Sequence, residues 1–95
     1  MSRKITFRYH ALQRMFQRLI SEAIVIETIN SGKVIQNYAD DQPYPSCLKL
    51  GFHLGRPIHI VFANNINDHE IIVITAYEPE LDQWEAGFET RRSNK

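Results

Sequence analysis

The stretch NSGKVIQNYA, residues 30–39, is where the hydrophobic period of this sequence changes, dividing the chain into a helical part and a strand-rich part. Upstream, Leu12, Met15, Phe16 and Leu19 recur at helical spacing within residues 9–19, the pattern of an amphipathic helix. At about 100° per residue these four side chains fall within roughly a 100° arc, which is expected to be the core face. Ser21 has the chemistry of an N-cap. Glu22 sits near the positive end of the helix that follows, and Ile20 can staple back onto Val25. This second helix is expected to run to about Asn30 and to end at Gly32, a residue able to take the left-handed conformation.

Downstream, KVIQNYA (33–39), CLKLGFHL (47–54), PIHIVFAN (57–64) and EIIVITAYE (70–78) are β-rich segments divided by turn residues. The connections LGRP and NNIND have hairpin length, so the last three strands are expected to form an antiparallel meander. DDQPYPS (40–46) carries Pro43 and Pro45 and reads as a stiff exposed loop that could position Tyr44 and Ser46. Residues 79–95 read as a short helix or irregular tail, with Trp84 and Phe88 spaced to pack back on the sheet. The expected fold is α+β: one domain over residues 1–95, two N-terminal helices on a four-stranded antiparallel sheet, and a short C-terminal helix or tail.

Composition narrows the function classes. A chain of 95 residues has room for one modest core, and 43% hydrophobic with 23% charged residues is ordinary for a globular protein. The single Cys47 cannot form an intramolecular disulfide, and the N-terminus lacks the apolar core of a signal peptide, so a reducing cytoplasm is expected. Apolar runs such as IIVITAY are too short to span a bilayer, and no membrane association is expected. Net charge is zero but segregated: Arg3, Lys4, Arg8, Arg14 and Arg18 fall in the first twenty residues, which contain no acid, whereas residues 78–90 carry five carboxylates.

His10, Arg14 and Arg18 advance by only about 40° at each four-residue step, so they form a spiralling stripe outside the expected core arc. The stripe reads either as a solvated helix face or as a phosphate site, because guanidinium groups bind phosphate bidentately and histidine moves protons near neutral pH. Helical salt bridges explain it poorly, because the helix contains no acid and Glu22 lies beyond the break at Ser21. In the second suggestive stretch, TAYEPE, Tyr77 and Glu78 end the last strand, either as simple strand termination before Pro79 or as acid-base or orienting groups. Cys47, His53, His59 and His69 lack the spacing of a metal site, His59 reads mainly as a sheet residue, and neither metal nor cofactor is expected.

The run from Tyr9 through GRPIHIVFA, followed by IIVITAYEP and Trp84, resembles the family catalogued as domain of unknown function 4258. The markers are His10-Ala11 with Arg14 and Arg18, Ile20-Ser21, DDQPYPS, GRPIH and YEP. That family is similar to the RelE/ParE and BrnT superfamily of bacterial toxins. The resemblance implies the toxin of a toxin-antitoxin system, a metal-independent mRNA endoribonuclease in which an RNA 2′-hydroxyl attacks the adjacent phosphate. It would make His10, Arg14, Arg18, Tyr77 and Glu78 the catalytic candidates and Arg8, Tyr44, Ser46 and His59 the RNA-binding ones. Implied partners are RNA or the ribosome and a cognate antitoxin, of which one carrying a YgiT-type zinc finger is one form. The alternative is a non-enzymatic interaction module, aimed at gyrase or another protein, or an inactive toxin homologue.

Overall fold

The computed structural model describes residues 3–93. Its elements are β1 (Lys4–Phe7), α1 (Tyr9–Gln17), α2 (Glu22–Ser31), β2 (Lys33–Tyr38), β3 (Ser46–His53), β4 (Arg56–Asn65) and β5 (Glu70–Tyr77). The sheet has five strands in the order β1-β5-β4-β3-β2, with β1 parallel to β5 and every other pair antiparallel. The expected four-stranded antiparallel sheet is therefore corrected to a five-stranded mixed one. The overlooked strand is KITF, whose four residues show too few alternations to stand out beside the basic side chains around them. It is held by pairing Ile5 with Ile71 and Phe7 with Val73, and by a 2.6 Å hydrogen bond from the Thr6 hydroxyl to the Glu70 carboxylate.

Both helices lie on one face of the sheet. Ala11 and Met15 of α1, Ile20, and Val25 and Ile29 of α2 share a buried cluster with Ile58, Ile60 and Phe62 of β4 and Ile71, Val73 and Ala76 of β5. Ile5 and Phe7 of β1 pack against the same cluster. The opposite face carries Leu48, Leu50 and His59, covered by Trp84. Residues 79–93 form turns with one Trp84–Arg91 bridge, not a regular helix.

The core face of α1 also departs from the sequence reading. Met15 is buried, but Phe16 is 84% and Leu19 80% exposed, and Leu12 is exposed as well. The helix rests on β5 through Ala11, Met15 and Arg18, spaced i, i+4, i+7, and Arg18 Nη1 donates to the Ala76 carbonyl at 2.8 Å. Small Ala11 permits a close approach and the guanidinium fixes the rotation, which turns the larger apolar side chains outward. Hydrophobic periodicity reports where apolar side chains lie on a helix, not which of them another element covers.

Helix ends follow from local chemistry. The Ser21 hydroxyl accepts from the Ile24 amide at 3.1 Å, and Ile20 and Val25 on either side of this cap are both buried. α1 ends earlier than residue 19, in a Schellman-type turn: the Ile20 amide donates to the Met15 carbonyl at 2.9 Å and the Leu19 amide to Phe16 at 3.3 Å. Leu19 occupies the left-handed position at φ 57°, where glycine is usual, a strain on the order of 1 kcal/mol. Both helix C-termini receive a cation from the sheet: Arg56 donates to the Arg18 and Leu19 carbonyls, and Lys49 to that of Ile29.

Gly32 does not take the left-handed conformation expected of it, since its backbone is extended at φ −76°. Its role is close approach: a Cβ there would stand 2.5 Å from the Thr28 carbonyl oxygen and 2.8 Å from that of Leu50. Gly32→Ala, although allowed by its dihedral angles, is expected to destabilise the fold by about 2 kcal/mol in denaturant unfolding, the size of an overpacking penalty. An unchanged midpoint would contradict this account of the glycine.

Candidate functional site

Register brings the polar centre of the molecule together. Leu50 pairs with His59 and His59 with Tyr77, so one cross-strand row carries an imidazole and a phenol on the face away from the helices. Chain continuing from β5 turns at buried Pro79, covers His59 with Trp84 and returns so that Arg91 bridges Trp84. The Arg92 amide donates to Gln83 at 2.9 Å and the Glu85 amide to Thr90 at 2.8 Å, closing this turn over the sheet.

Beside it opens a cleft of about 730 Å³, lined by Arg18, Arg56, Tyr77, Glu78, Trp84 and Arg91 together with Pro79, Glu80 and Gln83. Three arginines reach it from three elements. Arg18 comes from the end of α1, Arg56 from the start of β4, and Arg91 from the C-terminal turn, its guanidinium 5.3 Å from the centre of the Trp84 ring. Arg56 is spent structurally, with Nε on Glu78 at 2.5 Å, Nη1 on the Leu19 carbonyl at 2.8 Å and Nη2 on the Arg18 carbonyl at 2.7 Å. Arg18 uses only Nη1, on the Ala76 carbonyl. The ion pairs among the described residues are Lys33–Glu89, His53–Glu27 and Arg56–Glu78, so neither Arg18 nor Arg91 is neutralised by a carboxylate there.

His59 is 0% exposed and its tautomer is dictated by its neighbours. A carbonyl only accepts, so Nε2–H donates to the Phe88 carbonyl at 2.8 Å, leaving the Nδ1 lone pair to accept the Tyr77 O–H at 3.1 Å. Burial lowers the His59 pKa, and the hydrogen bond to Phe88 opposes this only in part. Tyr77 is shifted upward, first by burial and then by Tyr38, against the lowering influence of Arg91 and Arg18. The pair at rest is thus a neutral imidazole accepting a hydrogen bond from a neutral phenol, and the phenol itself faces the cleft.

Of the residues expected from sequence, Arg18, Tyr77 and Glu78 line this cleft, and His59 lies directly behind Tyr77. His10 and Arg14 do not line it; both are exposed on α1, His10 about 12 Å from Arg18 along the axis at 1.5 Å per residue. Arg8 is exposed before α1, Tyr44 is half-buried in the loop after β2, and the buried Ser46 donates its hydroxyl to Asp41, which ties that loop to β3. The sequence pattern does not mark Arg56, Trp84 or Arg91 as site residues. Arg56 was visible only inside GRPIH, and the role of the other two depends on a turn that sequence periodicity does not report. Among the described residues no three His, Cys, Asp or Glu side chains form a metal-ligand set, and no helix is long and apolar enough to cross a membrane.

A family model described as Domain of unknown function (DUF4258) matches residues 7–78, from Phe7, the last residue of β1, to Glu78 of the cleft. Searches of the curated proteins and of the solved structures found no match.

The depressed pKa of His59 has a sign that stability can report. Below the ordinary value of 6.5 the unfolded chain takes up the proton while the folded chain resists it, so stability falls as pH drops from 6.5 toward the folded value. Unfolding midpoints followed from pH 7 to 5 are expected to decline less steeply for His59→Gln than for the wild type. Equal slopes would mean that His59 is not held neutral.

Proposed function

The chain belongs to the DUF4258 family, and from that premise we propose that it is the toxin of a bacterial toxin-antitoxin pair, a metal-independent endoribonuclease of the cytoplasm with its chemistry at Tyr77. The observation that carries this reading is the convergence of Arg18, Arg91 and Tyr77 on one cleft, with Tyr77 hydrogen-bonded to a buried neutral histidine. Two guanidinium groups without carboxylate partners suit a phosphodiester and the additional negative charge of its transition state.

In the reaction, the 2′-oxygen of the RNA bonds to the adjacent phosphorus and the bond from phosphorus to the 5′-oxygen breaks. The 2′-hydroxyl proton passes to the Tyr77 oxygen as Tyr77 passes its own to His59 Nδ1, the departing 5′-oxygen takes a proton from water, and the hydroxide left takes the His59 proton back by way of Tyr77, which restores the neutral pair. The products are a 2′,3′-cyclic phosphate and a 5′-hydroxyl. The imidazolium formed at His59 stays hydrogen-bonded to the Phe88 carbonyl. Arg18 and Arg91 bear the phosphorane charge, while Glu78, held by Arg56, shapes the wall. His10 and Arg14, outside the cleft, are left without a chemical part.

The reading implies RNA as substrate and an antitoxin as partner. A second reading, a protein-binding module without cleavage, draws support from the neutral net charge and from the exposed apolar side chains of α1.

Purified protein incubated with an oligoribonucleotide in the presence of a chelator is expected to cleave it. Tyr77→Phe should slow cleavage by roughly a hundredfold or more, the scale of one acid-base group, and should stay folded at the assay temperature with a melting temperature lowered because the buried His59 Nδ1 loses its donor. His10→Ala should cleave at the wild-type rate. Undiminished cleavage by Tyr77→Phe, or loss of cleavage in His10→Ala alone, would overturn the site.

A further inference from the structure

The sheet face away from the helices carries a second cavity, of about 420 Å³, between β2 and β3 on one side and the C-terminal turn on the other. Gln36 pairs with Leu48 and Tyr38 with Ser46, so register sets both on the Leu48 face, and Trp84 lines the same cavity from the turn. Trp84 and Arg91 also line the first cleft, so one indole and one guanidinium form the common wall of the two. Their aromatic groups interact as well: Tyr77 is shifted upward first by burial and then by the Tyr38 phenol.

The two cavities differ in chemistry. Three arginines reach the first, whereas the second has Arg91 alone and is walled by Leu48, Tyr38 and Trp84. Its volume is that of a small-molecule site, about 300–1,000 Å³. Polar groups are few. The Gln36 amide both donates and accepts, while the Glu89 carboxylate only accepts, and its charge is matched by Lys33 at 2.9 Å.

Apolar and aromatic walls with a few polar groups at the edge suit a flat heterocycle whose rim carries donors and acceptors, which is what a nucleobase is. A phosphate finds too little positive charge here, but in a nucleotide only a ribose separates phosphate from base, and the two cavities share a wall. Given a phosphodiester on Arg18 and Arg91, the reading on which this rests, we infer that the Tyr38 cavity receives the base of an adjoining nucleotide. The base stacks on the Tyr38 ring with its edge toward Gln36 and Glu89, and Arg91 binds the strand where it passes from one cavity to the other.

Fluorescence anisotropy of two labelled 2′-deoxy hexamers titrated with the full chain tests this, one with adenine at every position and one abasic. They carry the same phosphates and lack the attacking 2′-hydroxyl. The adenine strand should bind about tenfold tighter or more, the scale of one stacked base. Tyr38→Phe should keep that ratio, and Tyr38→Ala should bring it close to one while abasic binding stays as it was. Gln36→Trp, which fills the cavity from an exposed position of β2 and removes no core group, should do the same. A wild-type ratio near one, or a ratio that survives in folded Tyr38→Ala or Gln36→Trp, overturns the base site and leaves the cleavage reading standing. Failure of both strands to bind overturns the two together. Base-dependent binding lost in these variants, but without cleavage of RNA by the wild type, upholds the base site and overturns only the chemistry at Tyr77.

Discussion

One guanidinium determines where the end of α1 lies, and with it the shape of the cleft. Arg56 leaves the start of β4, donates to the Arg18 and Leu19 carbonyls in the turn that ends α1 and holds Glu78 just beyond β5. Donors on three nitrogens of a rigid planar fork hold these three separated acceptors in fixed directions, which the single point-like ammonium of lysine does not do. The same contacts set a cation at the negative end of the α1 dipole and fix Arg18, whose own side chain returns to the Ala76 carbonyl. Two arginines thus interlock helix and sheet, one by its side chain on the helix backbone, the other by its side chain on the sheet backbone.

On the far side of the sheet the corresponding constraint is the row Leu50, His59, Tyr77. A histidine buried there has to spend both ring nitrogens, and the C-terminal turn supplies the Phe88 carbonyl at φ 61° for that residue, another left-handed backbone at a point of contact. Trp84 closes the site edge-on to the imidazole with ring centres 4.4 Å apart. Burial and hydrogen bonding together leave Tyr77 as the one polar group of this row that reaches the cleft, so any chemistry of His59 passes through it.

Much of this was legible in the residues. Ser21 and its flanking Ile20 and Val25 specify the start of α2, and the four segments from Lys33 to Tyr77 alternate or run apolar as strands do. Tyr77 and Glu78 are marked by standing where a strand meets proline. What could not be read depends on tertiary placement. KITF becomes a strand because β5 offers it an edge, and the wheel of α1 turns because Arg18 bonds the sheet. Gly32 is required by two carbonyls that approach from elsewhere, not by its own dihedral angles. Periodicity grouped Arg18 with His10 and Arg14, yet only Arg18 is close enough to the end of β5 to meet Tyr77.

The account stands on Tyr77 acting on RNA. The measurement that tests this most directly is bacterial growth after induced expression, wild type against Tyr77→Phe at equal soluble protein, with total RNA followed over the same minutes. Arrest by the wild type alone, with fragments of mRNA ending in 2′,3′-cyclic phosphate from the earliest samples, is the predicted result. Arrest with intact RNA, or equal arrest by both proteins, would contradict it.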